Sequence, residues 1–239
     1  MTQQRIALVT GGNKGIGFQI ARQLAEAGIE VVIGSRDEGR GAEAVAELAE
    51  DQLSASSIEL DLNAPETLLA AADTLKARHG RLDILVNNAG IFDFGDGPPA
   101  TASIDAVRHV MEVNFIGTLA VTQAMLPLLQ AAPEGRIVNL SSSLGSLTLN
   151  GDPDSAYYSQ RYIGYNASKA ALNMLTVQLH EELKETGIKV NSVSPGFVKT
   201  DLTGYGTMTP EEGARLPVRY ALEGEESGRF IEPDGMTPW

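Results

Sequence analysis

Tyr165 and Lys169 stand four residues apart in the run Tyr165-Asn166-Ala167-Ser168-Lys169, the spacing that places two side chains on one face of a helix. A free phenol titrates near ~10, too high for easy proton exchange at neutrality. A neighbouring ammonium favours the phenolate and lowers that value, so a tyrosine tuned in this way can serve as general acid or base. Tyr165 is the only tyrosine with a lysine at this spacing: Tyr157, Tyr158 and Tyr162 are followed there by Arg161, Tyr162 and Asn166. Those three read as packing or substrate-pocket residues.

A second cluster, Thr10-Gly11-Gly12-Asn13-Lys14-Gly15-Ile16-Gly17, follows a short apolar run and opens an amphipathic one. At such a strand-to-helix turn a pyrophosphate can rest on exposed helix N–H groups. Gly11 permits the tight turn, while Gly15 and Gly17 let backbone, helix and ligand approach closely. The spacing is Gly-x-x-x-Gly-x-Gly, not Gly-x-Gly-x-x-Gly, and the flanking strand and helix lift it above an ordinary glycine-rich turn. An NAD site usually places an acid at the end of the second strand, on the ribose 2′-hydroxyl. This chain has Gly34-Ser35-Arg36 there, and Lys14 adds a cation within the turn. Positive charge suits a 2′-phosphate, so the cofactor is read as NADP(H), clamped by Arg36 and Lys14. Asp37 offers the opposite reading, neutralising Arg36 or serving an NAD ribose.

These residues need elements to carry them. Short apolar runs at 6–9, 31–34, 58–60, 82–86, 137–140 and 188–193 read as strands, with 230–231 a small seventh. Helical patterns occupy 15–28, 42–51, 65–79, part of 102–131 and 163–186, and Pro127 is expected to bend or end the fourth. Strands alternating with helices indicate βαβ units. The expectation is one α/β domain over 1–239: a single-domain Rossmann fold, a doubly wound parallel sheet of about seven strands flanked by helices. The tail 204–239, rich in Gly, Pro and Glu, reads as loop plus a short helix from Pro210, covering part of the substrate site.

Composition narrows the function. The 239 residues, 43% of them hydrophobic, suit one such domain. A net charge of −13 disfavours nucleic acid and anionic membranes. With no cysteine, thiolate chemistry and disulfides are excluded. His79, His109 and His180 lie apart on helical segments, so no metal site is read. No apolar run approaches the ~20 residues of a membrane span, and the start from Met1 to Arg5 lacks signal-peptide traits. A cytoplasmic protein acting on a small molecule is expected.

Taken in order, Thr10–Gly17, Asp61-Leu62, Asn87-Asn88-Ala89-Gly90, Asn114, Ser141-Ser142, Tyr165 to Lys169, and Ser194 to Thr200 resemble the short-chain dehydrogenase/reductase family in its simple single-domain branch. The resemblance spans roughly residues 5–201. Asn13-Lys14, Ser35-Arg36 and the Val-Asn-Leu-Ser-Ser run are similar to its carbonyl-reductase-type members. The resemblance implies that Tyr165 protonates a carbonyl oxygen and that Lys169 lowers its pKa and holds the nicotinamide ribose. It implies that Ser142, three residues before Gly145 as the family's Ser-x-x-Gly pattern requires, bonds the substrate oxygen. Asn114 would hold a relay water, or be a plain helix polar residue. The implied cofactor contacts are Gly11, Asn13, Lys14, Gly15, Ile16, Gly17, Arg36, Asp61 at the adenine, Leu62, then Asn88, Ala89 and Gly90 along the adenosine. Asp61 reads equally as an acid near a helix N-cap. Pro195, Gly196, Val198 and Thr200 would cradle the nicotinamide and phosphates, with hydride leaving the nicotinamide B face.

The chain departs from the simple pattern between Ser142 and Tyr165, where 148–162 is longer than in many members. That segment either overlies the helix used for pairing or shapes the substrate pocket, which leaves monomer and homo-oligomer both open. The leading reading is an NADP-dependent reductase of a ketone or aldehyde. Phe92, Phe94, Tyr158, Phe197 and Tyr205 point to an apolar or aromatic substrate. The alternatives are an NAD-dependent dehydrogenase of a secondary alcohol, such as a steroid or polyol, and a non-catalytic NADP(H) sensor.

Overall fold

The computed structural model describes residues 4–239; the reading of Met1, Thr2 and Gln3 as a plain start lies outside them. Strand β1 (Ile6–Thr10), helix α1 (Gly15–Glu26), β2 (Glu30–Ser35), α2 (Glu38–Glu50), β3 (Ala55–Glu59), α3 (Pro65–His79) and β4 (Ile84–Asn87) build the first half. Then come α4 (Ile104–Met111), a π-helical turn (Glu112–Gly117), α5 (Thr118–Gln130), β5 (Arg136–Leu140), the short α6 (Leu147–Gly151), α7 (Ile163–Leu183) and β6 (Lys189–Val193). Helix α8 (Pro210–Leu222) and strands β7 (Arg229–Glu232) and β8 (Gly235–Met236) complete the order.

The strands form one sheet in the order β3-β2-β1-β4-β5-β6-β7-β8. Every pair is parallel except β7–β8. Strands β1, β4 and β5 are buried along their whole length, which is why Ile6–Val9, Ile84–Val86 and Ile137-Val138 within them are apolar on both faces. Leu68 and Leu75 of α3, Val121 and Met125 of α5 and Leu172 and Leu179 of α7 cover one face. Ile20 and Leu24 of α1, Leu48 of α2 and Ala214 and Ala221 of α8 cover the other. The order of the strands reverses between β1 and β4, and a doubly wound sheet opens its ligand crevice at that switch. The expected single-domain Rossmann architecture is the one observed, with an eighth, antiparallel strand at the edge.

Three differences from the sequence expectation have physical causes. Helix α2 starts at Glu38, four residues early, because the Asp37 carboxylate accepts the Arg40 N–H at 3.0 Å and caps it. The stretch 102–131 is helical through Pro127, but a π turn interrupts it at Glu112–Gly117. Joined in this way, Ile104–Gln130 is long and apolar enough to cross a membrane; half of its most apolar window is instead buried within the protein, against α3, β4 and α7. Finally, the tail holds real structure. Thr209 and Glu212 form a reciprocal capping box at the start of α8, α8 packs on α1, and β7 extends the sheet beyond β6.

Candidate active site

A cleft of about 810 Å³ opens at the carboxyl ends of β1, β2 and β4 and runs to α7. Its floor is the glycine turn. Gly11 and Gly15 take φ of +61° and +56°, a region that strains any residue with a Cβ. A Cβ on Gly17 would collide with Asn88 Nδ2 and the Gly11 carbonyl. Asn88 Nδ2 donates to the carbonyls of Thr10 at 2.8 Å and Gly11 at 3.1 Å, while the backbone N–H groups of Asn88 and Ala89 both donate to Thr10 Oγ1 at 3.0 Å. Asn88 therefore braces the turn with its side chain. Helix α1 begins with no side-chain cap and no acid in its first turn, so its first N–H groups and its positive dipole end are available to an anion. A Cβ on Gly15 would meet nothing within 4 Å, standing in the space a pyrophosphate needs. The cradle fits a dinucleotide.

At the adenosine end the cleft is bordered by Ser35, Arg36, Asp37, Arg40, Asp61 and Leu62. Arg36 has no ion pair among the described residues. Asp37 does not neutralise it: besides capping α2, its carboxylate sits 3.8 Å from Arg40 Nε. Arg40 was missed because the helix was placed from residue 42; the signal was Asp37 as a cap, which puts Arg40 in the first turn. Lys14 Nζ pairs with Asp201 at 2.8 Å, both exposed, and this ion pair holds the Asp201 carboxyl below its ordinary pKa. The lysine expected as a clamp is thus tied to the opposite rim. Asp61 Oδ1 accepts the Asn63 N–H at 3.0 Å, so Asp61 shapes its own turn as well as lining the cleft.

At the other end, α7 presents Tyr165 and Lys169 one turn apart. The Ser142 hydroxyl lies near enough to the Tyr165 phenol to pull its pKa down, and it accepts the Leu144 N–H at 3.2 Å. Its neighbours turn away: Ser141 Oγ donates to Asn173 Oδ1 at 2.6 Å and Ser143 Oγ to the Glu232 carboxylate. Lys169 Nζ lies 5.7 Å from the centre of the Tyr165 ring and donates to the Leu140 carbonyl at 2.8 Å. Burial pushes the phenol up to about 12, against the pull of Ser142, and pushes Lys169 down to about 8. The expected depression of the phenol by the ammonium does not arise here, because desolvation is the largest influence on both groups.

Asn114 does not reach the cleft. Fully buried on the π turn, it accepts the Ile91 N–H at 2.8 Å and donates to the Ile91 carbonyl at 3.0 Å and Ser168 Oγ at 3.1 Å. Its side-chain amide ties the loop after β4 to α7. Pro195 and Thr200 border the cleft, as do Gly90 and Ala89. Gly196 and Val198 do not. Gly196, at φ +87°, is wedged against Met208 and Pro233, and Val198 packs its methyls on Gly213 of α8. Two aromatic groups stand nearby. Phe92 contacts Tyr162, Phe94 and Tyr165 at centroid distances of 5.1, 5.9 and 6.0 Å, and Phe197 meets Tyr205 at 5.5 Å.

A glycine cradle at the switch of a doubly wound sheet, facing a Tyr-Lys-Ser group, defines a dinucleotide-binding oxidoreductase. The model of the short chain dehydrogenase family matches residues 5–209, and the chain belongs to that family. It is 35% identical to short-chain dehydrogenase/reductase 1 of Saponaria officinalis, the alignment covering 100% of this chain and 97% of that one. It is 34% identical to carbonyl reductase [NADPH] 1 of Rattus norvegicus, over 98% of each chain. Among solved structures, the NADPH-bound carbonyl reductase from chicken fatty liver superposes with a TM-score of 0.85 at 29% identity, over 99% of this chain and 100% of that one. The resemblance to carbonyl-reductase-like members stands.

Proposed function

We propose that this oxidoreductase reduces the carbonyl of a small apolar or aromatic ketone or aldehyde with NADPH, and that Tyr165 supplies the proton. NADPH, when bound, supplies the hydride. The observation that carries the reading is the placement of Tyr165 and Lys169, one turn apart on α7, in the lining of the same cleft that the glycine turn floors, with Ser142 near the phenol. A carbonyl oxygen held by Ser142 and Tyr165 would receive the phenolic proton as negative charge develops on it. Lys169 places a cation between that phenol and the part of the cleft at Gly90, where a nicotinamide ribose would lie. Asn114 acts from behind, fixing Ile91 and through it the loop that carries Phe92.

The choice of NADPH over NADH rests on charge. Arg36 and Arg40 stand where an NAD site would place an acid, and carbonyl reductases similar to this chain, from rat and from chicken fatty liver, are NADPH proteins by name. Phe92 lines the cleft, with Phe94 packed edge-on against it, and Leu202, Gly204 and Pro210 border the rim. Of the tail 204–239, then, only the start is proposed to cover substrate.

The test is NADPH oxidation, followed optically, against a panel of aldehydes, ketones and quinones, with Tyr165→Phe in parallel. Loss of the general acid should lower kcat by about 10²- to 10⁴-fold while NADPH still binds. A variant that keeps the parental rate would remove Tyr165 from the mechanism.

A further inference from the structure

Helix α7 carries the reacting tyrosine but has no N-cap of its own. Tyr162, at the cap position, makes no side-chain cap bond, and the first turn holds no acid. A helix leaves its first N–H groups without internal partners. Here they are met from the loop after β4. Gly97 O accepts the Ile163 N–H at 3.0 Å, Asp96 Oδ1 accepts the Gly164 N–H at 2.9 Å, and Asp96 Oδ2 accepts the Tyr165 N–H at 2.8 Å. Asp96 Oδ1 also takes the Gly97 N–H at 2.8 Å.

The approach is built in from both sides. A Cβ on Gly164 would lie 3.0 Å from Asp96 Oδ2 and 3.1 Å from Val107 Cα, so any larger residue would press the carboxylate outward by a few tenths of an ångström. The loop is fixed in turn: Asp93 Oδ1 accepts the Gly95 N–H at 2.8 Å, Asp93 O accepts the Asp96 N–H at 2.9 Å, and Gly95 O accepts the Ser103 N–H at 2.9 Å. The same loop presents Phe92 to the Tyr165 ring.

The geometry points to Asp96 as a positioning residue for the proton transfer, its carboxylate holding the backbone of Tyr165 and Gly164 so that the phenol meets Ser142 and the substrate loop moves with it. This rests on the reading of Tyr165 as the proton donor. Hydrogen bonds to a carboxylate are about twice as strong as neutral ones, and a misplacement of about 1 Å at a reacting group can cost about 10²-fold in rate. Nothing in this contact touches the glycine cradle or Arg36, so cofactor binding should not depend on it.

The full chain would be prepared as parent, Asp96→Ala, Asp96→Asn and Tyr165→Phe. Each would be assayed for kcat and KM with a carbonyl compound the parent reduces, for NADPH affinity by fluorescence, and for melting temperature. Asp96→Ala should lower kcat about tenfold or more, with NADPH affinity within about twofold. Asp96→Asn should fall between, since its amide keeps one acceptor but sets an N–H against a backbone N–H. Parental kcat in Asp96→Ala overturns the inference. So does a loss in which kcat, NADPH affinity and melting temperature all fall together in both variants. If the alanine variant does not fold, the asparagine variant decides by the same split. Parental kcat in Tyr165→Phe would show that the proposed donor, and Asp96 with it, has been misread; a dead Tyr165→Phe beside an unaffected Asp96→Ala overturns Asp96 alone.

Discussion

Lys169→Met isolates what burial does to the site. The ammonium is 5% exposed and its pKa falls from 10.5 to about 8 through desolvation. Between those values the unfolded chain keeps a proton that the folded protein has released, so folding stability must rise with pH there. The contribution is fully present above the unfolded pKa and is lost as pH falls through about 8. At about 1.4 kcal/mol per pH unit, the whole window is worth about 3 kcal/mol, of which about 2 kcal/mol lies between pH 8 and 10. The Nζ bond to Leu140 O at 2.8 Å favours the charged form, which makes these upper figures. Methionine has no proton to exchange and should show no such slope. It also strips Leu140 O of its donor, at a cost of about 1–3 kcal/mol that does not vary with pH, so the test is the change with pH rather than the absolute difference. Tyr165, whose pKa moves from 10.0 up to about 12, is present in both proteins, so the ionisation of its unfolded form near pH 10 cancels in the comparison to first order. Urea unfolding of parent and variant at pH 7, 8, 9 and 10 reads the effect directly. The parent should gain on the variant by about 2 kcal/mol from pH 8 to 10. A difference that stays constant across the range would refute the buried-ammonium assignment.

Arg36→Ala and Arg40→Ala should each lower the preference for NADPH over NADH by about tenfold, the scale of one charge-assisted contact at an exposed site, and leave kcat with NADH unchanged; initial rates with both cofactors would show it. Gly17→Ala forces a Cβ onto Asn88 and the Gly11 carbonyl, and should weaken NADPH binding and cost about 1–3 kcal/mol of stability, read by fluorescence titration and thermal unfolding. Asn139 accepts from Asn87 Nδ2 at 2.8 Å and donates to Thr176 Oγ1 at 2.8 Å inside the sheet. Asn139→Leu leaves both partners short of a bond and should cost about 1–3 kcal/mol per orphaned group in denaturant unfolding.

How much the sequence revealed depended on whether a signal was local. The glycine turn was legible because strand, turn and helix are contiguous, and the positive φ that Gly11 and Gly15 adopt favours glycine. Ser142 was singled out among the three serines only through the family's Ser-x-x-Gly pattern that the resemblance supplied; in the structure Ser141 and Ser143 bond Asn173 and Glu232, and Ser141 also borders the cleft. Arg40 was hidden by a misplaced helix start, although its cap, Asp37, was in plain view. Contacts across long sequence separations left no pattern at all. Lys14 meets Asp201 and Asp96 meets Tyr165 only because the doubly wound chain brings loops from both halves to one edge of the sheet.

The ionisation of the catalytic pair shows where spacing stops being informative. Residues four apart on α7 do share a face, and from that alone the ammonium should draw the phenol down. Burial acts on both groups together, however, and favours the neutral form of each: phenol over phenolate, amine over ammonium. Lys169 spends its one described hydrogen bond on Leu140 O, and the phenol leans on Ser142. On the proposed reading this suits a reductase. A phenol that holds its proton until negative charge develops on a carbonyl oxygen is an acid at neutral pH, whereas one depressed toward neutrality would stand half ionised and be as ready to take a proton as to give one. On the proposed reading, the packing of α7 favours the protonated phenol, an influence that the Tyr-x-x-x-Lys spacing alone does not reveal.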